Sequence, residues 1–245
     1  MRASEQRERV RAGTPLPDPP VQHCERLPLS FAWQAGGLRW LRDGGTELVR
    51  GVAPVIRDGE WGTHALRSSG RRQSHDRQRL ALMETFRVVD EPAGRTLLTG
   101  RMAVTVTARQ VSVALRLTAR ARFTTCRSGL VVLLPIAGMA GAPVEVRHAD
   151  GPWHEGHMPR LISPAQPFFD IRSLRYAPPG HAGVQLDFEG DVFEMEDQRN
   201  WSDASFKIYN RPLAWPTPYT LAPGTRLEQR VTLTLAGAEE GAHDH

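Results

Sequence analysis

Alternation with a period of two runs through most of this chain, and it limits the possible folds more than any other feature. Val111, Val113, Leu115 and Leu117 alternate with Ser112, Ala114, Arg116 and Thr118, and Val231, Leu233 and Leu235 alternate with Thr232 and Thr234. Successive side chains of a strand point to opposite faces, so each run lays apolar groups on one face and polar groups on the other. Leu29 to Trp33, Glu84 to Val89, Arg95 to Thr107, Ile171 to Tyr176 and Gly183 to Phe188 read the same way. Leu130 to Leu134 is apolar without a break, as expected of a strand covered on both faces. Turn formers stand between these runs: Ala35-Gly36-Gly37, Asp43-Gly44-Gly45 and Asp90-Glu91-Pro92-Ala93-Gly94. Glu47 to Ile56 contains Gly51 and Pro54, which predicts an edge strand or a bulge. No segment of useful length has a helical period. The prediction is an all-β chain of about a dozen short strands, an antiparallel sandwich.

The ends and one central crossing break the pattern. Residues 1–25 carry Pro15, Pro17, Pro19 and Pro20 and are expected to be a disordered tail. Residues 26–236 form one sandwich domain, and 237–245 a flexible acidic tail. Glycines and prolines punctuate 135–170, predicting a long irregular crossing, which in a compact domain usually faces a ligand.

Composition narrows the function classes. The formal net charge is +4, with the arginines scattered. Arg71-Arg72-Gln73-Ser74-His75-Asp76-Arg77-Gln78-Arg79 is a basic run without interleaved aromatics, so it reads as a solvated loop and no nucleic-acid partner is expected. Cys24 and Cys126 make no disulfide framework. No signal-like apolar run opens the chain, and Leu130 to Ala137, broken by Pro135, is too short for a bilayer. A cytoplasmic protein without membrane contact is expected.

The most unusual stretch is Phe193 to Lys207. Phe193 and Met195 alternate with Glu194 and Glu196, and Phe206 and Ile208 with Ser205, Lys207 and Tyr209. Asn200, Ser202 and Asp203 favour a chain reversal between them. If the apolar sides share one core, Glu194, Glu196 and Lys207 share the opposite face. Lys207 is the only lysine in a chain that otherwise uses arginine. Two carboxylates beside an ammonium suit a general base and a charge stabiliser. The same pattern also describes a cross-strand ion pair on a wet face, or a buried network holding the turn. The loop Arg57-Asp58-Gly59-Glu60-Trp61-Gly62-Thr63 likewise sets a tryptophan among charged groups. An aromatic face covers sugar C–H groups while polar neighbours take hydroxyls, so both stretches suit a polyhydroxylated ligand. The alternative is that both tryptophans plug core ends. His154-Glu155-Gly156-His157 has the wrong spacing for a helical zinc site, and Ser74-His75-Asp76 are sequence neighbours that cannot converge as a triad. No metal and no cofactor is expected.

Ile56 to Thr63, Pro135 to Val144, Ile162 to Phe168 and above all Phe193 to Lys207 resemble the N-terminal β-domain of the D-apionate lactonase family. The resemblance runs from about Leu38 to Leu235. It implies a large supersandwich of the galactose-mutarotase-like kind and chemistry on a sugar acid or its lactone. The family's longer members continue into a (β/α)-barrel, and nothing barrel-like is read here, so the resemblance implies that any barrel chemistry is either lost or borrowed from a barrel-bearing protein partner. On this reading Glu194 or Glu196 is the general base, Arg199 or Lys207 stabilises the oxyanion, and Arg57, Asp58, Trp61, Asn200, Trp201 and Asp203 hold the substrate. A non-catalytic carbohydrate-binding or docking module is the alternative. Sugar epimerisation would need His148 or His157 to meet Glu194.

Overall fold

The computed structural model describes residues 6–7, 19–91, 93–201 and 203–236. Within them, strands form two antiparallel sheets. The first runs in the order β1 (Gln22–Arg26), β2 (Leu29–Gln34), β3 (Gly37–Asp43), β4 (Thr46–Asp58), β9 (Phe123–Pro135), β15 (Ser205–Tyr209), β14 (Glu194–Asp197), and β16 (Tyr219–Leu221) pairs with the start of β9. The second runs β11 (Trp153–His157), β10 (Pro143–His148), β12 (Ile171–Tyr176), β13 (Val184–Glu189), β17 (Arg226–Leu235), β8 (Gln110–Ala119), β7 (Arg95–Val106), β6 (Leu80–Asp90), β5 (Arg67–His75). A 3-10 turn over Gln198–Trp201 joins β14 to β15.

The predicted alternation decides which faces meet. Val111, Val113, Leu115 and Leu117 of β8 and Val231, Leu233 and Leu235 of β17 are buried, as are Leu130, Val132 and Leu134 of β9, and all belong to one core. Three polar contacts also cross it. Trp33 Nε1 donates to Glu84 Oε2 at 2.6 Å, and the Tyr176 hydroxyl donates to the Leu48 carbonyl at 2.7 Å. The third is Gln229. β15 stops at Tyr209, one rung short of Leu130. The Asn210 amide still reaches the Leu130 carbonyl at 3.1 Å, but the Leu130 N–H has no strand partner and donates instead to Gln229 Oε1 at 2.7 Å. Gln229 Nε2 in turn donates to Asn210 Oδ1. The polar groups of these three contacts are thus paired, which removes the desolvation penalty they would otherwise carry.

The expectation for β4 is met as a bulge rather than an edge: it lies between β3 and β9, and its pairing with β3 skips Leu48. Pro54 is tolerated because it sits opposite Leu130, whose polar groups face β15, so the missing proline donor points away from β9 and past the last rung of β3. Three other expectations need correction. The tail boundary at 25 is too late, because Gln22–Arg26 already pairs with β2. The basic run is not a loop: its first part lies in β5, an exposed edge strand. Arg67 pairs there with Glu91 and Arg71 with Glu84, and a charged edge resists pairing with other chains. The crossing at 135–170 contains β10 and β11 and is irregular only in part. The acidic tail at 237–245 lies outside the described residues.

Candidate functional site

The β14–β15 register sets Glu194 opposite Tyr209, Met195 opposite Ile208, Glu196 opposite Lys207 and Asp197 opposite Phe206. Met195, Phe206 and Ile208 enter the core. Glu194, Glu196, Lys207 and Tyr209 therefore share the outward face, as the alternation predicts. The same face continues across the sheet. Lys207 is opposite Leu133 and Tyr209 opposite Val131 on β9, while Arg127 of β9 is opposite Arg57 of β4.

The centre is the pair Glu196–Lys207. Nζ lies 2.7 Å from Oε2, and the two side chains keep 18% and 17% of their exposure respectively. Trp201 Nε1 donates to the other oxygen of Glu196 at 2.7 Å. Burial lowers the pKa of Lys207, Glu196 opposes that shift, and Arg127 and Arg57 add to it. Glu194 is different. It is fully buried, accepts from the Tyr209 hydroxyl, and accepts the Leu213 and Ala214 N–H groups at 3.3 Å each. Burial, then the hydrogen bond to Glu194, raises the pKa of Tyr209 and keeps the phenol protonated. Glu194 thus anchors the strand end and Tyr209. Its oxygens are taken up by these partners, so of the two glutamates only Glu196 keeps part of its side chain exposed.

Arg199 is likewise bound into the fold. Asp197 lies on the other face of β14, and Arg199 reaches back to it at 2.7 Å. The rest of the guanidinium donates to the carbonyls of Pro159, Arg160 and Leu161. Asp197 also accepts the Ser163 N–H at 2.9 Å, and Asn200 Nδ2 donates to the Ser163 carbonyl. These three residues clamp the 159–163 crossing onto the turn, which is the buried-network reading of the stretch rather than oxyanion stabilisation or substrate contact. Asp203 is exposed and accepts from the Ser205 hydroxyl at 3.1 Å, a local turn bond.

The 57–63 loop supplies one wall. Asp58 accepts the N–H groups of Glu60 at 2.8 Å and Gly62 at 2.7 Å, and Arg57 donates to the Trp61 carbonyl at 3.0 Å and to the Thr63 hydroxyl. A Cβ on Gly62 would fall 2.4 Å from Asp58 Oδ2, so only glycine fits this wrap. Asp58 therefore shapes the loop. Trp61 is held at φ 68°, a conformation rare for a bulky residue, with its ring 5.4 Å from the Arg127 guanidinium. The other face of the cluster is Tyr209, whose ring centroid is 3.8 Å from that guanidinium.

Of the sequence candidates, the fold brings together Glu196, Lys207, Trp201, Arg57 and Trp61, with Glu194 beneath. Sequence reasoning missed Arg127 and Tyr209. Tyr209 was findable, since it shares the alternation of Lys207. Arg127 carried no signal, because its place beside the site comes only from the pairing of β9 with β4. His148 and His157 lie on β10 and β11 of the other sheet, and Glu194 is sealed by its own partners, so the epimerisation set does not assemble. Among the described residues, no group of three or more His, Cys, Asp or Glu is placed to hold a metal ion. None of their helices is long and apolar enough to cross a membrane.

Two stacked antiparallel sheets in this order define a galactose-mutarotase-like β-sandwich. Galactose 1-epimerase from Lactobacillus acidophilus superposes with a TM-score of 0.57 at 9% identity, over 88% of this chain and 94% of that one. A protein from Synechocystis superposes with a TM-score of 0.60 at 9% identity, over 90% and 96% of the two chains. The chain belongs to the D-apionate lactonase family: residues 9–238 match its N-terminal domain. It is 36% identical over 228 residues to D-apionate lactonase of Brucella anthropi, a match covering 90% of this chain and 36% of that protein. The chain therefore corresponds to about a third of that relative's length.

Proposed function

We propose that the outward face of the first sheet binds a sugar-acid lactone and opens it by hydrolysis. The observation that supports this most is the Glu196–Lys207 pair at 2.7 Å, mostly buried, with Trp201 donating to Glu196 and the Tyr209 ring 5.3 Å from the ammonium. A carboxylate and an ammonium fixed against each other supply a base and a cation without reorganisation. Glu196 takes a proton from water as its oxygen adds to the lactone carbonyl carbon. Lys207 stabilises the oxyanion, the ring C–O bond breaks, and the proton passes to the departing ring oxygen. The products balance as one hydroxy acid from lactone plus water. The aromatic rings cover the sugar's C–H faces.

A second reading is a carbohydrate module that docks onto a barrel-bearing partner. It is favoured by an apolar rim next to the site: Leu161 is 82%, Ile162 54% and Trp201 72% exposed.

Turnover of D-apionolactone followed by pH-stat, with binding by calorimetry, tests the first reading. Wild type is expected to bind and turn over. Glu196→Gln is expected to bind but lose roughly 10²–10⁴ in rate, the usual value of a general base. Binding without turnover by wild type would favour the docking module. Neither binding nor turnover would refute the site.

A further inference from the structure

We propose that Arg57 and Arg127 form a carboxylate clamp, so that this site recognises the open sugar acid by its charge and holds the acid more tightly than the uncharged lactone. The inference rests on the preceding reading of this face as the ligand site and names the group by which the ligand is read.

Arg127 is 95% buried by its 5% residual exposure, yet among the described residues its guanidinium has no hydrogen-bond partner, and its Nε is sealed from solvent. A buried charge left unpaired is costly, and proteins seldom keep one without a use. The group lies 3.8 Å from the Tyr209 ring centroid and 5.4 Å from that of Trp61, so aromatic rings rather than anions are its near neighbours. Arg57 sits directly opposite it in the β4–β9 register, and like charges in that position repel. Arg57 donates to a carbonyl and a hydroxyl, and neither arginine pairs with a carboxylate among the described residues. The two local carboxylates are already engaged, Glu196 by Lys207 and Glu194 by Tyr209 and two backbone N–H groups. Neither arginine therefore has a carboxylate of its own, which leaves room for an anionic ligand. A planar guanidinium matches a carboxylate through two parallel hydrogen bonds. Burial lowers the Arg127 pKa and Arg57 adds to that, while Tyr209, Glu196 and Glu194 act in the opposite sense without outweighing it.

The test is calorimetry and thermal melting of the full chain with sodium D-apionate, D-apionolactone and inorganic sulfate, in wild type, Arg127→Met and Arg127→Lys. Wild type is expected to prefer the acid. Arg127→Met is expected to bind it roughly 10- to 100-fold more weakly, the loss of one charge-assisted pair, while lactone affinity changes little. Arg127→Lys should recover only part of that loss. Without ligand, Arg127→Met should melt no lower than wild type, because the substitution removes a repulsion. A purely structural arginine would instead lower the melting temperature and leave acid and lactone affinities equal, and either result overturns the clamp. Sulfate competing as well as the acid would also overturn it, by showing a generic anion site. Lactone binding that survives alongside these failures keeps the ligand-site reading. Loss of binding for every ligand in wild type removes both.

Discussion

Replacing Gln229 with leucine tests whether one side chain from the second sheet holds the site-bearing strands of the first in place. Leucine has a similar volume and belongs at an inward position of β17, so packing alone predicts a mild effect. Hydrogen bonding predicts otherwise. The substitution leaves the Leu130 N–H, now bound at 2.7 Å, with no acceptor, and it removes the donor to Asn210 Oδ1. Each buried polar group stranded this way costs about 1–3 kcal/mol, so the pair predicts a loss of about 2–6 kcal/mol. That is a large fraction of the roughly 5–15 kcal/mol that keeps a domain folded. Water cannot easily substitute, since Gly129 leaves the Asn210 carbonyl packed directly against the strand: a Cβ there would lie 2.4 Å from it. Urea denaturation followed by tryptophan fluorescence measures the loss. Because Asn210 follows Tyr209, the variant should also weaken ligand binding at temperatures where it remains folded. A destabilisation below about 1 kcal/mol with an unchanged m-value would show that the Leu130 amide finds another acceptor, and the cross-sheet argument would be wrong.

Two further outcomes follow from the charged groups of the hairpin. Lys207 is the only lysine, so reductive ¹³C-methylation labels one side chain besides the amino terminus. Its NMR titration should give a pKa below the ordinary 10.5, and Glu196→Gln should lower it further by removing the opposing carboxylate; a rise would contradict the assigned balance. Burial pulls the Asp197 pKa upward, but Arg199 and the Ser163 and Arg199 N–H groups outweigh it and leave it below 3.8. A carboxyl with a depressed folded-state pKa stabilises the fold above its unfolded value and loses that contribution as pH falls through the folded one. Stability should therefore drop below about pH 4, and Asp197→Asn should flatten that acid limb in denaturation curves, while an unchanged limb would show the clamp to be weak.

Period-two patterning was enough to specify the class of fold and the inward set, because a strand's side-chain direction is fixed by parity. Val111 to Leu117 and Val231 to Leu235 could not be read otherwise. The same parity puts Glu194, Glu196 and Lys207 on one face, as the β14–β15 register has them. What parity cannot express is partnership across long separations. Arg57 and Arg127 become neighbours only because β4 and β9 pair, and Gln229 matters only because β15 ends one rung early. Nor does it report depth. Glu194 and Glu196 look equivalent two residues apart, yet the loop after β15 delivers two N–H groups to the first and leaves the second half open. Residue types and their alternation, being local, set which face each group takes. Which charges are neutralised, sealed or left waiting for a ligand was decided by tertiary contacts, since electrostatic energy depends on distance and desolvation that no local pattern carries.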